Sequence, residues 1–336
     1  MTMCEFLANI YLMRELILET LRREKHISGE EIGKQFKISR TAVWKHVNEL
    51  RKMGYEIRSS PKIGYTFKKS PDLLLPEEIE HGLKTKFIGK HVVHYDTAFS
   101  TQDIAAEMAR GGATEGTLVI AETQENGRGR KGRSWVSFPK GGIYLSLILK
   151  PNLMPSQVVQ IPLIAGVAMT KAIRETVSLK PMIKWPNDII IGKKKVGGIL
   201  TEMSSEIDGV NYVVLGVGLN VNMPTSVFSE DIFDIATSLI FECGKNTSRT
   251  KLVQGFLCEF ELIYTKFLVH GFGSVRDEWK ELNNTIGSQV KISGNGKDIE
   301  GEAIDIDADG FLLVRKDNGN ISRIISGDVS LRNPAC

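Results

Sequence analysis

Cysteine is scarce in this chain. Four occur in 336 residues, Cys4, Cys243, Cys258 and Cys336, and no two stand at Cys-x-x-Cys spacing. That excludes a zinc ribbon or a disulfide scaffold and fits a reducing compartment. Histidine is also rare, and His26, His81, His91, His94 and His270 show no metal-ligand spacing, so they read as ordinary surface or core histidines. No Gly-x-Ser-x-Gly elbow supports a serine nucleophile. No apolar run approaches the roughly 20 residues that span a bilayer. The N-terminus lacks the basic-then-apolar pattern of a secretory signal, so the expected location is the cytoplasm, with no membrane partner.

What is present is the composition of an ordinary folded protein, long enough for two or three domains. Its charge is uneven. Residues 1–70 hold 14 Lys and Arg against 8 Asp and Glu, whereas the remainder holds 29 against 32. A basic first module on a mildly acidic body points to a polyanionic partner for that module alone.

The first module carries a recognisable pattern. Leu12, Leu16, Ile17 and Leu21 recur at helical spacing. Ser28, followed by Glu31, has the form of a capping box opening a short helix through Phe36. Ser39 caps a second helix, Arg40–Lys52, whose inner face is Val43, Val47 and Leu50. Its outer face presents Arg40, Thr41, Lys45, His46 and Arg51. Two short helices with a tight turn and a cationic second helix make a helix-turn-helix. Beyond Gly54, two short strands flank Pro61-Lys62-Ile63-Gly64 as a wing, which would add Arg58 and Lys62 as phosphate contacts. The expected DNA contacts are Ser39, Arg40, Thr41, Lys45 and His46. The sequence leaves open whether Trp44 packs against the wing or reaches the groove.

The richest chemistry is Gly127-Arg128-Gly129-Arg130-Lys131-Gly132-Arg133-Ser134-Trp135, set between two strand-like apolar runs, Thr117–Ala121 and Ile143–Leu149. Glycines allow positive φ and close approach of backbone to a ligand, and arginines offer forked donors to phosphate or carboxylate. Because the run occurs once and in mid-chain, it reads as an ordered anion-binding loop rather than a disordered tail. Two further elements follow. Lys184-Trp185-Pro186-Asn187-Asp188 precedes Lys195-Val196-Gly197-Gly198-Ile199-Leu200-Thr201-Glu202, and Gly216-Val217-Gly218-Leu219-Asn220 lies beyond.

These three elements, in this order and at this spacing, resemble those of the biotin–protein ligases. With the N-terminal module they resemble the two-function members that are both ligase and biotin-operon repressor. The resemblance covers nearly the whole chain. It implies biotin and ATP as substrates with Mg²⁺, biotinoyl-adenylate as intermediate, and transfer to a lysine of a biotin carboxyl carrier domain. It also implies a homodimer on operator DNA. The biotin site it implies comprises Ser100, Thr101, Gln102, Gln124, Arg128, Gly129, Arg130 and Lys195; Gln102 departs from the family's Asn by one methylene. The ATP site comprises Arg130, Arg133, Trp135, Lys184, Asn187 and Asn220, with Asn187 also toward the metal. Lys195, Arg130 and Asp188 carry the catalytic roles. A carboxylate attacking a phosphate brings two anions together, which is why the site needs cations.

From Gly287 the pattern changes to short strands with glycine turns, including Gly294-Asn295-Gly296, and resembles the SH3-like β-barrel of the same ligases. The run Asp305–Gly310 lacks the later glutamate of a calcium loop and reads as a hairpin turn. The expected architecture is α/β (α+β). A winged helix occupies 1–70, a mixed α/β ligase core 71–282, and the SH3-like domain 283–336. Two rivals are a lipoate or octanoate ligase, which lacks the full arginine loop, and a biotin-sensing repressor without turnover.

Overall fold

The computed structural model describes residues 3–61, 63–206, 209–293, 298–325 and 327–332, and the side chains of 3–11, 225, 331 and 332 fall outside that description. Lys62 and the turn at 294–297 therefore lie outside the described residues, as do the side chains of Cys4 and Cys336. The chain divides into two compact units, Met1–Asp72 and Leu73–Cys336.

The first unit is the expected winged helix. Helix α1 (Met3–Arg23) begins well before the periodic run that announced it. Helix α2 (Gly29–Phe36) opens on the full Ser28–Glu31 capping box, and α3 (Arg40–Lys52) on the Ser39 hydroxyl. Each cap satisfies an amide that the first helical turn leaves without a partner. Val43, Val47 and Leu50 are buried, as their spacing requires. Strands β1 (Glu56–Ser60) and β2 (Gly64–Lys69) pair antiparallel, and Ile27 bridges Tyr65 at their edge.

The second unit is built on a mixed sheet. Among the described residues its strands are β3 (His91–Ala98), β4 (Thr117–Gln124), β5 (Gly142–Leu149), β6 (Met182–Lys184), β7 (Asp188–Ile191), β8 (Lys194–Glu206) and β9 (Gly209–Asn220). Their order is β3-β4-β5-β9-β8-β7-β6, with β3 and β4 parallel and every other neighbouring pair antiparallel. Alternation divides the side chains between two layers. Leu145, Leu147, Leu215 and Val217 join the main core with helices α6 (Ile161–Thr176) and α9 (Arg249–His270). Val119, Ile148 and Val214 pack instead against Ala105 and Ala109 of α5 (Thr101–Arg110). Among the described residues the remaining α-helices are α4 (Pro76–Glu80), α7 (Glu230–Phe233), α8 (Leu239–Cys243) and α10 (Gly273–Leu282).

Residues 155–176 are long and apolar enough to span a membrane, but 72% of the most apolar window is buried inside the fold. α6 is apolar on nearly all sides because it lies between the sheet and α9.

The C-terminal strands β10 (Gln289–Ser293), β11 (Ile299–Ile306), β12 (Leu312–Arg315), β13 (Ile321–Ile324) and β14 (Asp328–Arg332) form an antiparallel sheet in the order β13-β12-β11-β10-β14. Among the described residues β13 and β14 are its edges, so it is open rather than closed. It belongs to the same compact unit as the mixed sheet, and Trp185 Nε1 donates to Gly310 O at 3.1 Å between them. The Asp305–Gly310 run is a hairpin turn. Asp307 Oδ1 accepts from the Asp309 and Phe311 amides, and Arg323 supplies the positive charge to Asp307 and Asp309.

A buried ion pair braces the entry to this unit. Arg249 and Glu122 are fully buried and 2.8 Å apart, and Glu122 also accepts the Leu74 N–H at 2.6 Å. Burial pushes the Glu122 carboxyl up, but His94, Arg249 and the Leu74 amide outweigh it and hold it below its ordinary value. We predict that Arg249→Met lowers stability by about 3 kcal/mol at neutral pH, because it strands a buried carboxylate. Since the folded value is depressed, the pair's contribution is present at neutral pH and lost as pH falls through that folded value. Denaturant titrations should therefore show the deficit shrinking in acid, whereas a pH-independent deficit would assign it to packing.

Candidate functional site

The site lies on the α5 face of the mixed sheet, where two neighbouring strands, β8 and β9, carry glycines. Gly218 on β9 pairs with Gly198 on β8, and Gly216 pairs with Leu200 and with Ser146 on β5. A Cβ at Gly218 would stand 2.5 Å from Trp135 Cε2, and one at Gly198 3.1 Å from Cζ3. The Trp135 indole thus lies on a floor only glycine can make. Lys195 Nζ sits 5.5 Å from its ring centroid, within cation–π range.

Trp135 ends the arginine loop, which folds as a small hairpin. Arg128 bridges Ser134, Gly129 N–H donates to Arg133 O at 2.7 Å, and Trp135 N–H donates to Gly127 O at 2.8 Å. The positive φ expected of the glycines falls at Gly132 (+73°) and at a lysine, Lys131 (+56°). Gly127 is needed for room instead, since a Cβ there would meet Trp135 O at 2.5 Å.

Each cation of the loop has an acidic or polar partner. Arg128 pairs with Asp103 on α5 and Glu202 on β8, and Arg133 and Lys131 pair with Asp328 on β14. Arg130 Nη1 donates to Asn187 Oδ1 at 2.9 Å. Burial pushes the Arg130 guanidinium below its ordinary value, against the pull of Asp328 and Asp188. Burial likewise pushes Asp328 up, and Lys131 and Arg133 more than reverse it. These groups are paired yet solvent-accessible, so incoming anionic oxygens can replace the carboxylates without leaving a cation bare.

Asn187 lies in the turn between β6 and β7, and Asp188 opens β7. The Asn187 amide donates to Ile199 O at 2.8 Å and so presents its oxygen to Arg130. Asp188 Oδ1 lies 2.6 Å from Lys195 Nζ. Pairing of β7 with β8 slips between Ile189 and Ile190, so that Ile189 faces Gly197 and Ile190 faces Lys195. Such a bulge re-aims the strand's side chains. The Lys195 backbone bonds in turn to Ile235 and Thr237.

At the other end, Ser100 caps the start of α5 with its hydroxyl buried and, among the described residues, without a hydrogen-bond partner. Thr101 donates from its backbone N–H and approaches with its hydroxyl to Gln124 Oε1, at 2.8 and 3.1 Å. Gln102 donates to Val214 O at 3.1 Å and accepts from Ser146 at 3.1 Å.

The structure brings Ser100, Thr101, Gln102, Gln124, Arg128, Gly129, Arg130, Arg133, Trp135, Asn187, Asp188 and Lys195 to one cleft. Two expected residues are set back from it. Asn220 is buried and donates to Thr237 O at 2.9 Å, so it holds the segment that pairs with Lys195. Lys184 lies below its ordinary value, chiefly through burial, with Asp188 and Lys195 as charged neighbours. Sequence reasoning missed Ser146, whose signal was one hydroxyl residue inside an apolar strand. It also missed Asp328, which has no local signal because only the tertiary fold carries β14 to the loop.

On the first unit, Arg40, Thr41 and Lys45 are exposed on α3, and Trp44 stands among them 53% exposed. His46 departs from the expected outward face. It is half-buried, and burial, aided by Arg14 of α1, pushes its pKa down. Arg51 donates to Ile57 O at 2.9 Å and so braces the wing strand.

Family comparisons agree with this arrangement. Residues 97–220 match the biotin/lipoate A/B protein ligase family, residues 14–66 an HTH domain, and residues 285–332 the biotin protein ligase C-terminal domain. The chain is 41% identical over 305 residues to the bifunctional ligase/repressor BirA of Bacillus subtilis, covering 91% of this chain and 94% of that one. Against the Escherichia coli bifunctional ligase/repressor BirA, identity is 30% over 306 residues, covering 91% and 93%. The solved biotin protein ligase from Aquifex aeolicus in complex with biotin and ATP superposes with a TM-score of 0.63 at 30% identity, covering 73% of this chain and 100% of that one. With the winged helix, the arginine loop and the glycine floor all in place, the chain belongs to the BirA family of bifunctional ligase/repressors.

Proposed function

We propose that this protein activates biotin with ATP to biotinoyl-5′-AMP and transfers the biotinoyl group to one lysine of a biotin carboxyl carrier domain. The observation that carries this reading is the cleft itself. Ser100, whose buried hydroxyl has no hydrogen-bond partner among the described residues, marks one end, and the cations Lys195, Arg130 and Arg133 line the same cleft. Such a site suits a ligand with a polar head, a short apolar stem and a carboxylate tail joined to a nucleotide. We further propose the division into 1–70, 71–282 and 283–336, and a cytoplasmic location.

In the first step a biotin carboxylate oxygen bonds to the α-phosphorus of ATP, and the bond to pyrophosphate breaks. Lys195, oriented by Asp188, neutralises the carboxylate and α-phosphate as they approach. Arg130 and Arg133 hold phosphate oxygens once these displace Asn187 and Asp328 from them. Trp135 offers its ring to the nucleotide side. Asn187 Oδ1 and the Asp188 carboxylate are oxygen donors of the kind a hard divalent ion takes with phosphates, so these two residues would hold Mg²⁺. Bound there, Mg²⁺ would offset charge on the departing pyrophosphate. In the second step the acceptor lysine, having lost a proton, attacks the acyl carbon and AMP leaves.

The same protein is proposed to act on DNA through α3, as an adenylate-loaded homodimer spanning two half-sites. Ser39, Arg40, Thr41, Lys45 and His46 would supply the phosphate and base contacts, with the exposed Trp44 offering apolar surface to the groove.

The founding test is biotin-dependent exchange of labelled pyrophosphate into ATP. Exchange with biotin and not lipoate establishes the half-reaction, whereas biotin binding without exchange would leave a sensor-repressor. Lys195→Ala should lower that exchange by at least about 100-fold at unchanged thermal stability, in line with loss of a charge-stabilising donor; near-normal exchange removes Lys195 from the site. Arg130→Gly should release biotinoyl-adenylate, detectable as non-specific labelling of added bystander protein. Retention of the intermediate contradicts its role. Lys45→Ala should weaken operator binding and reduce the salt slope by about one, with ligation intact. Operator affinity that is the same with and without biotinoyl-adenylate would remove the proposed coupling.

A further inference from the structure

The two ends of helix α3 treat their polar side chains differently. In the last turn Arg51 donates to Ile57 O at 2.9 Å and to Asn48 Oδ1 at 3.0 Å, and Lys52 pairs with Glu49 at 2.8 Å. Those cations are engaged within the unit. Arg40, Thr41, Trp44 and Lys45, in the half of the helix that Ser39 caps, are exposed. Among the described residues no hydrogen bond or ion pair holds their side chains.

Trp44 is the anomaly on that surface. Its indole is 53% exposed. The aromatic ring that β2 offers, Phe67, is engaged with Tyr55 at 6.4 Å and with Arg22 at 5.8 Å. An aromatic ring left half in water favours whatever covers it. Its neighbours say what that is. Arg40 stands four residues before Trp44 and Thr41 three, so the helix sets them beside the indole, and Lys45 follows directly. With 14 Lys and Arg against 8 Asp and Glu in residues 1–70, this surface repels a second copy of itself and suits a polyanion. On the major-groove edge of duplex DNA the apolar feature is the thymine 5-methyl group. An indole has one N–H donor, so it does not match the paired acceptors of guanine as a guanidinium does.

We propose that Trp44 is a specificity-determining residue that reads thymine in the operator, laying its ring on the 5-methyl group while Arg40 and Lys45 meet the DNA on either side. The inference rests on the DNA-binding reading above and adds the base that α3 selects.

The test begins with duplexes that the full-length protein, supplied with biotin, ATP and Mg²⁺, enriches from a random pool. Deoxyuridine in place of thymine removes the methyl group and keeps every hydrogen-bonding group of the base. At one thymine position the exchange should lower affinity about fourfold for each half-site changed, the scale of one buried methyl group. Trp44→Ala should bind the enriched duplex more weakly and should respond to uracil by no more than about twofold. Trp44→Phe, which keeps an apolar ring without the N–H, should retain the uracil penalty. Wild-type protein indifferent to uracil at every thymine overturns the proposal. So does a Trp44→Ala protein that keeps the full penalty, which would give the methyl contact to Thr41. Loss of the penalty in Trp44→Phe would make the N–H the reader and also overturns it. If Trp44→Ala binds the duplex as tightly as wild type, the ring faces a protein partner instead. Trp44 lies outside the core, and alanine favours helix, so the variant should melt as wild type does. Should it not fold, Trp44→Gln takes its place in the cycle. A wild-type protein that enriches no duplex would refute the DNA-binding reading itself, whereas enriched duplexes indifferent to uracil would sink only the role of Trp44.

Discussion

The site depends on a place where side chains are missing. Gly198, Gly216 and Gly218 leave a shallow trough across two central strands, and everything placed in it touches backbone. Trp135 lies in one part and Gln102 fills another. Because Trp135 ends the arginine loop, laying its ring on the trough anchors the whole cationic hairpin against the sheet. A methyl group at Gly218 would lift the indole and with it the loop's closing strand.

The second constraint is electrostatic. A cluster of arginines and lysines repels itself, and without anions it would open the loop into solvent. Here acids from three different elements pair with the loop, Asp103 on α5, Glu202 on β8 and Asp328 on β14, while Asp188 on β7 pairs with Lys195. Each is accessible enough to be exchanged for a phosphate or carboxylate oxygen. The loop's ion pairs with these carboxylates resemble the contacts its anionic ligands would make. The C-terminal sheet contributes to this directly, since Asp328 lies on its β14.

The buried Arg249–Glu122 pair works at a different level. It joins the first turn of α9 to β4, and through the Leu74 amide it ties down the chain where the second unit begins. Two residues further along β4, Gln124 organises Thr101. One strand therefore carries both the brace for the unit's entry and the polar end of the cleft.

Much of this was legible in the sequence because the determinants are local. The Ser28–Glu31 and Ser39 caps, the Val43–Val47–Leu50 stripe and the short apolar runs of β4 and β5 act within a few residues, so these helices and strands and the helix-turn-helix could be read directly. The arginine loop and the Asn187–Asp188 turn were legible as anion-binding chemistry for the same reason. What the tertiary structure alone decided was partnership and facing. Nothing near residue 328 in sequence announces that Asp328 meets Arg133, and nothing near Asn220 says its amide turns to Thr237 rather than to a nucleotide. His46 shares a helix with Lys45, yet burial against α1 withdraws it from the outer face. The role of the apolar stretch 155–176 was settled by what covers it. Local patterns record the energetics of the backbone, whereas the pairing of distant charges and the burial of a face depend on how separate elements pack.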